Sequence, residues 1–379
     1  YWQRNLLLAF GISISAAVLT GALIVGDSVD YSLKKIVSDR LGEISHVVKS
    51  GDRYFTTELA EKVSSDLGFP TAPVLMSEGI AVAGGGQERI NNTVIVGVDD
   101  NFDPMAGTEN YYSRLSGDQV ILSENSAQKL GIDIGDEILL RIRKASLIPL
   151  NAPFVSDREN TVTARLEIID IAGRESLGTF NLKNSQTAPF NAFISLERLN
   201  EMMELENRSN LMLIKSDTEI KTSESLNAIS KNWNTEDASL NLEKLEVRNE
   251  IEISSERVFI DAQIADLIKE TEGFKYPVVT YFVNGISANS GSTPYSFVST
   301  LPEEMLTENE VIINKWLADD LNVEEGDSLK MKYFIVGPLR ELKEEESVFI
   351  IKSIVEMEGR FADRNLMPHL PGLSDAGNC

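Results

Sequence analysis

Residues 6–25, LLLAFGISISAAVLTGALIV, form a run of 20 residues without a charged side chain. A helix rises about 1.5 Å per residue, so such a run spans roughly 30 Å, the thickness of a membrane's hydrocarbon core. Small residues recur along it, among them Gly11, Ser15 and Gly21, which favours close packing against another membrane helix. The sequence therefore predicts a transmembrane helix over residues 1–26.

Two other interpretations of this run stay open, the apolar core of a signal peptide and a buried core helix. A signal-peptide core usually spans about 7–15 residues and ends at a cleavage site of small residues, whereas this run is longer. The flanking charges oppose an external domain by the positive-inside rule, because Lys34, Lys35 and Arg40 follow the run and only Arg4 precedes it. Long domains nevertheless cross membranes largely regardless of charge.

The helical rhythm continues beyond the apolar run. Apolar residues recur there at steps of three and four, at Val29, Leu33, Ile36, Val37 and Leu41. This spacing predicts a stalk helix over residues 27–43 that leaves the membrane, with the five side chains as a coupling seam. An amphipathic helix lying on the surface of a domain would show the same pattern.

Composition excludes several classes of protein. The 59 acidic and 35 basic side chains give a formal charge of −24, which repels a phosphate backbone, so nucleic acid is not an expected partner. One cysteine and two histidines cannot form an internal disulfide or a Cys/His metal site. With 42% hydrophobic residues, the protein still has enough apolar material for more than one core.

The residues after the stalk alternate short strands and short helices. A strand over 44–49, a helix over 57–67 and a hairpin of strands 74–83 and 89–98 are predicted first. Three glycines, Gly84 to Gly86, join the two hairpin strands and match neither phosphate-binding motif, so we interpret them as a turn.

An internal repeat is the most informative feature of this part. Residues 120–140, VILSENSAQKLGIDIGDEILL, align without gaps with residues 311–331, VIINKWLADDLNVEEGDSLKM, and six of the 21 positions are identical. Each copy predicts a strand, a helix, a Gly-Asp turn and a second strand. Asn322 stands where the first copy has Gly131, and asparagine also tolerates the left-handed conformation that ends a helix.

These elements predict an α+β fold with a mixed sheet and two pseudo-repeated strand–helix–strand halves. We expect one extracytoplasmic domain over residues 44–379, made of a first half (44–190), a helix-rich middle segment (191–273) and a second half (274–379). Within the middle segment, residues 243–273 show mostly helical periodicity.

Together these features resemble the permease subunits of MacB/FtsX-type ABC transporters. The similarity covers the apolar text RNLLLAFGISISAAVLTGALIVGDSV, the stalk end SDRLGEI, the doubled repeat motif and the strand-then-helix NAFISLERLNEM. The resemblance implies a four-helix permease, of which the given residues hold the first membrane helix and the ectodomain, so we expect a longer protein.

The resemblance also implies partners and a place in the cell. These are a cytoplasmic ABC ATPase, a second permease copy and the inner or plasma membrane, with the large domain periplasmic. Movement of paired stalks would couple ATP hydrolysis to export or extraction of a lipoprotein, peptide or drug. A single-span, membrane-anchored binding or adhesion module is the alternative.

The sequence offers little support for an enzyme. His46 and His369 lie in no metal-binding spacing, no GxSxG motif occurs, and Cys379 has no base beside it. Acidic pairs such as Asp99-Asp100 are typical of solvated surface. We therefore expect no catalytic residue, no cofactor and no metal site.

Overall fold

The structure is a computed structural model of the protein. It describes residues 1–51, 53–145, 161–183, 185, 187–218, 220–245, 249–255, 260–289, 291–302, 304–337 and 342–363. The protein divides into two compact units, unit 1 (residues 1–150 and 155–258) and unit 2 (residues 151–154 and 259–379). His369 and Cys379 lie outside the described residues.

The apolar run and the stalk form one uninterrupted helix, α1 (Trp2–Leu41). Residues 6–25 contain no proline, the residue that would break a helix, and no charged residue. The helix ends at Gly42, whose backbone N–H donates to the carbonyl of Ser38. The predicted helical continuity between the apolar run and the residues after it is confirmed.

After α1, unit 1 begins with the strand, the helix and the hairpin that the sequence predicts, and further helices and strands follow. The helices are α2 (Thr57–Leu67), α3 (Phe102–Ala106), α4 (Glu124–Leu130), α5 (Leu196–Met203) and α6 (Thr222–Asn232). The strands are β1 (Ile44–Lys49), β2 (Phe55–Thr56), β3 (Thr71–Ala83), β4 (Glu88–Val98), β5 (Gln119–Ser123), β6 (Glu137–Arg143), β7 (Thr161–Ala172), β8 (Phe190–Ser195), β9 (Arg208–Ser209), β10 (Leu211–Lys215), β11 (Leu240–Leu245) and β12 (Glu250–Ser255).

Six strands of unit 1 close into a ring. Strand β3 pairs with both β4 and β6, and β7 pairs with β6 and β5. Strand β8 completes the ring, because it runs parallel to β4 on one side and antiparallel to β5 on the other. A core of fully buried aliphatic side chains fills this ring, including Leu75, Val120, Leu140 and Ile194.

A second core covers the outside of the ring near α3. Phe102 and Tyr112 pack edge to face with their ring centroids 4.9 Å apart, and Phe193 of β8 lies 5.0 Å from Tyr112. The sheet extends past β3 through β10 to β1, with α2 and α6 packed against each other beside it. The cores therefore connect α3, the ring and the added strands β10 and β1 within unit 1.

Unit 2 has a smaller sheet. Its described elements are α7 (Ala262–Lys269), β13 (Thr280–Ala288), β14 (Gly291–Ser299), β15 (Glu310–Asn314), α8 (Lys315–Leu321), β16 (Ser328–Val336) and β17 (Leu342–Val355). The strand order is β14-β13-β16-β17-β15, and β15 runs parallel to β17. The α+β class and the mixed sheets that the sequence predicts are confirmed.

The two repeat copies have the same local fold, as predicted. Each is strand, helix and strand, β5-α4-β6 in unit 1 and β15-α8-β16 in unit 2. Gly131 and Asn322 both end their helices in the left-handed conformation, with φ of 63° and 50°. Gly135 and Gly326 share a φ of 93°, and each donates its N–H to an isoleucine carbonyl at 2.8 Å.

The prediction that residues 243–273 are mostly helical is wrong for the first residues of this range. Residues 240–245 and 250–255 form the antiparallel strand pair β11–β12, and among the described residues of this range only α7 is helical. Leu240 and Leu242 alternate with polar residues, as do Ile251 and Ile253, and this period of two is the strand signal. The expected middle segment contributes β8 to β12 to unit 1 and α7 to unit 2.

Candidate functional site

The apolar side chains of the N-terminal part of α1 are exposed. It is the one helix among the described residues that is long and apolar enough to cross a membrane, with a mean hydropathy of 2.2 over its best 18 residues. None of that stretch is buried. A core helix of a soluble protein covers its apolar side chains, so this arrangement opposes the buried-helix interpretation.

The five predicted stalk residues lie on one side of α1. Successive residues of a helix are rotated by about 100°, which places Val29, Leu33, Ile36, Val37 and Leu41 within an arc of about 140°. The first four expose 52%, 58%, 45% and 54% of their surface, and Leu41 is half-buried. This stalk face is therefore an apolar surface outside both cores, and α1 does not lie along unit 1 as a surface helix.

The helix ends in a tight contact with unit 1 at Gly42. Its φ of 53° and ψ of −123° are accessible mainly to glycine. A Cβ atom there would lie 2.7 Å from the carbonyl oxygen of Met105 and 3.0 Å from a methyl carbon of Leu177. A side chain at this position would therefore be excluded by both backbone conformation and space.

Hydrogen bonds hold the end of the stalk from two directions. The guanidinium of Arg40 donates to the carbonyl of Ser185 at 2.6 Å, and the hydroxyl of Thr179 donates to the carbonyl of Asp39 at 2.9 Å. On the other side, the N–H of Glu43 donates to the carbonyl of Met105 in α3 at 3.0 Å. We call this contact, with Gly42, the stalk junction.

The loop that receives the stalk is itself fixed to the ring. Residues 173–182, which we call the clamp loop, follow β7 and hold Leu177 buried at a φ of 56°. The amide of Asn191 in β8 donates to the carbonyls of Gly178 at 3.0 Å and Phe180 at 2.9 Å. The Tyr112 hydroxyl donates to the carbonyl of Ser176. The clamp loop thus connects the stalk to the strand that closes the ring.

A buried carboxylate stabilises the segment that follows α3. Asp103 accepts hydrogen bonds from the Thr108 hydroxyl at 2.6 Å and from the backbone N–H groups of Tyr111, Tyr112 and Ser113 at 3.0–3.1 Å. Burial raises the pKa of Asp103, but these bonds outweigh burial and leave the pKa below its usual range. The ionised carboxylate therefore holds Tyr112 in place beside the clamp loop.

Asp99 lies at the end of β4, one turn before Asp103. Burial raises its pKa to about 6, and the backbone N–H and amide of Asn101, at 3.0 and 2.9 Å, oppose that rise. The neighbouring charge of Asp100 adds to the rise. With a pKa of about 6, Asp99 is more readily protonated than Asp103, whose pKa lies below its usual range.

The described residues contain no group of three or more His, Cys, Asp or Glu side chains that could hold a metal ion. His46 lies on β1, and its ring nitrogens contact the hydroxyl of Ser45 and the carbonyl of Ile220. This is a structural histidine at the edge of the sheet.

The five predicted stalk residues share one side of α1, and their coupling role stays a prediction, whereas the stalk junction was not predicted. Only Gly42, directly after a long helical pattern, signals the end of the stalk. The residues it meets, Met105 and Leu177, are far away in the sequence, so no local pattern could pair them with Gly42.

The family model described as the MacB-like periplasmic core domain matches residues 6–231, which is more than half of the protein. The chain therefore belongs to the MacB-like periplasmic core domain family. The match begins within the apolar run and extends into α6, so it includes the stalk face, the stalk junction and the ring of unit 1.

Two solved structures show similarity at low sequence identity. The periplasmic region of MacB from Actinobacillus actinomycetemcomitans is 12% identical, with a TM-score of 0.31, and the alignment covers 60% of this protein and 86% of that one. The extracellular domain of the noncanonic ABC-type transporter YknZ from Gram-positive bacteria is 11% identical, with a TM-score of 0.32, covering 47% and 84%. The comparison with curated proteins finds no match.

Proposed function

We propose that the protein is the first membrane helix and ectodomain of an ABC transporter permease, which moves the ectodomain when a cytoplasmic partner hydrolyses ATP. The observation that carries this proposal is the exposed helix α1, whose residues 6–25 carry no charge and which leads into the MacB-like periplasmic core domain. A helix of this kind has no place in the core of a soluble domain.

The proposed location follows from the same helix. Residues 6–25 lie in the inner or plasma membrane, and units 1 and 2 lie on its extracytoplasmic side. The proposal includes further membrane helices and an ATPase-contacting segment elsewhere in the complete permease. Its substrate class is a lipoprotein, peptide or drug that is exported or extracted.

The stalk face is the proposed contact with a second stalk. Leaving four aliphatic side chains about half exposed forgoes roughly 1 kcal/mol each of hydrophobic stabilisation, since full burial is worth about 1.5–3 kcal/mol. A second permease copy, or another helix of the same permease, supplies a matching apolar surface. Movement of that partner then acts on the stalk face.

The stalk junction is the proposed route from the stalk to the domain. A displacement of α1 reaches the clamp loop through Thr179, reaches Ser185 through Arg40, and reaches α3 through Glu43. The clamp loop is bonded to β8 by Asn191, so the displacement reaches the ring. In this proposal the protein transmits motion and performs no chemistry, and it binds no cofactor.

Cysteine labelling in intact cells tests the membrane arrangement. A Ser65→Cys variant, with Cys379 replaced by serine, presents a thiol on the exposed surface of α2. We expect an impermeant maleimide to label it in intact cells, and to label a matched Arg4→Cys variant only after permeabilisation. Labelling of the Ser65→Cys variant only after lysis would place the domain in the cytoplasm and refute the proposal.

Co-purification tests the proposed partner. We expect the tagged complete permease to bring down a Walker A ATPase from detergent extracts, with two permease copies in the complex. A monomer that purifies without an ATPase would favour the alternative, a single-span binding or adhesion module.

A further inference from the structure

Residues 276–302, YPVVTYFVNGISANSGSTPYSFVSTLP, form a run of 27 residues without a charged side chain, although 25% of the protein's residues are charged. The run contains β13 and β14, which pair as an antiparallel hairpin at one end of the strand order of unit 2. Serine, threonine, asparagine, glycine and aromatic residues dominate it. The binding loops of antibodies have the same bias, because rigid aromatic rings supply contact area and small polar residues supply adaptable hydrogen bonds.

Three aromatic side chains of this hairpin, Phe282, Tyr295 and Phe297, form a cluster that we call the aromatic platform. Phe282 stacks on Tyr295 with an interplanar angle of 17° and ring centroids 5.8 Å apart, and its ring centroid lies 5.3 Å from that of Phe297. The next residue, Val283, is buried in the core of unit 2, so Phe282 points away from that core. Phe282 and Tyr295 expose 44% and 72% of their surface. The platform is therefore an apolar surface that faces solvent.

Tyr295 holds its ring on the platform through a strained backbone. Its φ is 48°, a left-handed conformation that is uncommon for a bulky residue. Such strain persists only where the surrounding structure maintains it, and it is concentrated at binding and active sites. Packing does not account for the strain, because the side chain is mostly exposed. The strained backbone therefore indicates a role of this ring in recognition.

Polar groups border the platform at both ends. Thr280 and Ser299 pair across the two strands beside the two phenylalanines, and their hydroxyl oxygens are 2.7 Å apart. At the other end, the amide of Asn284 donates to the carboxylate of Glu344 at 3.0 Å. The rings thus lie between a pair of hydroxyls and an amide–carboxylate pair, which together can donate and accept hydrogen bonds.

The charges next to the platform balance one another. Lys332 lies 4.0 Å from Glu344 and 3.0 Å from Glu346, and Lys330 lies 3.0 Å from Glu346. The formal charge of −24 is carried outside residues 276–302, and it repels anionic ligands. An occupant that complements the platform and its borders is therefore uncharged.

We propose that the aromatic platform binds an uncharged polysaccharide, a chain of β-1,4-linked hexopyranose rings. One face of such a ring presents C–H groups, whose partial positive charge is attracted to the negative face of an aromatic ring. The sugar hydroxyls project from the edge of the ring, where the polar groups that border the platform bond them. A β-1,4-linked chain is extended, so it can follow the hairpin across the sheet.

The polar borders favour a polysaccharide over a lipid surface. An acyl chain would cover Phe282 and Tyr295 equally well, but it would gain nothing from the Asn284 amide or the Glu344 carboxylate. The proposal goes beyond the proposed function, because a binding site for a polysaccharide requires neither an ATPase nor movement of the domain.

Calorimetric titration of the complete permease in detergent tests the proposal, with cellohexaose and the hexamer of N-acetylglucosamine as probes. We expect at least one hexamer to bind, and polygalacturonate, a charged polymer of hexopyranose rings, to bind more weakly or not at all. Binding of neither hexamer, or tighter binding of polygalacturonate, would overturn the proposal. Binding to phosphatidylcholine vesicles in place of the hexamers would assign the platform to a lipid surface and overturn it as well.

Variants locate the site and separate binding from folding. Tyr295→Gly removes the ring and accepts the positive φ without strain, so we expect the affinity to fall at least about tenfold while the urea midpoint stays close to the parental value. Tyr295→Phe keeps the ring and should bind within about threefold of the parent. Trp316→Ala removes an exposed ring of α8 outside the platform and should leave the affinity unchanged. Parental affinity of Tyr295→Gly, or an equal loss in Trp316→Ala, would overturn the proposal.

Discussion

Replacing Gly42 by alanine is the sharpest perturbation of the stalk junction. The new Cβ would lie 2.7 Å from the carbonyl oxygen of Met105 and 3.0 Å from Leu177, distances that require the backbone to shift. The positive φ adds conformational strain of about 1–2 kcal/mol for a residue with a side chain. The overpacking adds about 1–3 kcal/mol.

Together these costs predict that Gly42→Ala lowers the free energy of unfolding of unit 1 by about 2–5 kcal/mol. Gly68→Ala is the matched control, because Gly68 also ends a helix at positive φ but has no atom within 4 Å of the new Cβ. The control carries the conformational strain alone, about 1–2 kcal/mol. The difference between the two variants therefore reports the steric contact at the junction together with the extra backbone strain of Gly42, whose ψ of −123° lies outside the left-handed helical region that Gly68 occupies.

Urea titration of the complete protein in detergent measures both variants. Near-ultraviolet circular dichroism is a suitable signal, because Phe102 and Tyr112 pack next to the junction. We expect an unchanged denaturant slope and a lower midpoint for Gly42→Ala than for Gly68→Ala. Equal midpoints would show that the junction has room for a side chain, and would refute the description of it as a close contact.

Two further predictions concern the cores and the electrostatics. Asp99→Asn should stabilise the protein by about 1–3 kcal/mol at pH 8, because the folded pKa of Asp99 is about 6 and the unfolded chain ionises more easily. The gain should shrink as pH falls from 6 to 4 and vanish only below the unfolded pKa of about 4, where the parent carboxyl is protonated in both states. Urea titrations at several pH values check this, and a gain that is constant with pH would contradict it. Leu130→Ala and Leu321→Ala, at equivalent buried positions of the two repeat copies, should each cost about 2–5 kcal/mol. Hydrogen exchange should show the first loss in unit 1 and the second in unit 2, and a shared loss would contradict two separate cores.

The sequence predicted local features of the fold well. The repeat was visible because strand, helix cap and Gly-Asp turn are each determined by residues that are close together in the sequence. Asn322 was interpreted as a left-handed helix end, and its φ of 50° confirms that interpretation. The stalk was visible for the same reason, since Val29 to Leu41 repeat at helical spacing.

The parts that the sequence did not reveal depend on contacts between distant residues. Ring closure by β8 requires parallel pairing with β4, roughly 100 residues earlier, and no local pattern encodes that pairing. The junction of Gly42 with Met105 and Leu177 has the same character. The strand pair β11–β12 was missed for a different reason, because residues 243–273 show mostly helical periodicity although Leu240 and Leu242 alternate as in a strand.

The central claim, that the stalk face transmits ATP-driven motion, is tested most directly by a distance measurement in the complete transporter. Spin labels on Ser65→Cys in each of two permease copies report the separation of the ectodomains with and without ATP. We expect ATP to shift this distance in the parent. Leu33→Asp combined with Ile36→Asp places two charges on the stalk face, and Lys35→Asp makes the same net change in charge on the opposite side of α1.

The double variant should hydrolyse ATP at the parental rate but lose the ATP-dependent shift in distance, because its stalk face no longer packs against a partner. Lys35→Asp should keep both the hydrolysis and the shift. If the double variant shows the same shift as the parent, the stalk is a passive spacer and the account of its coupling role is contradicted.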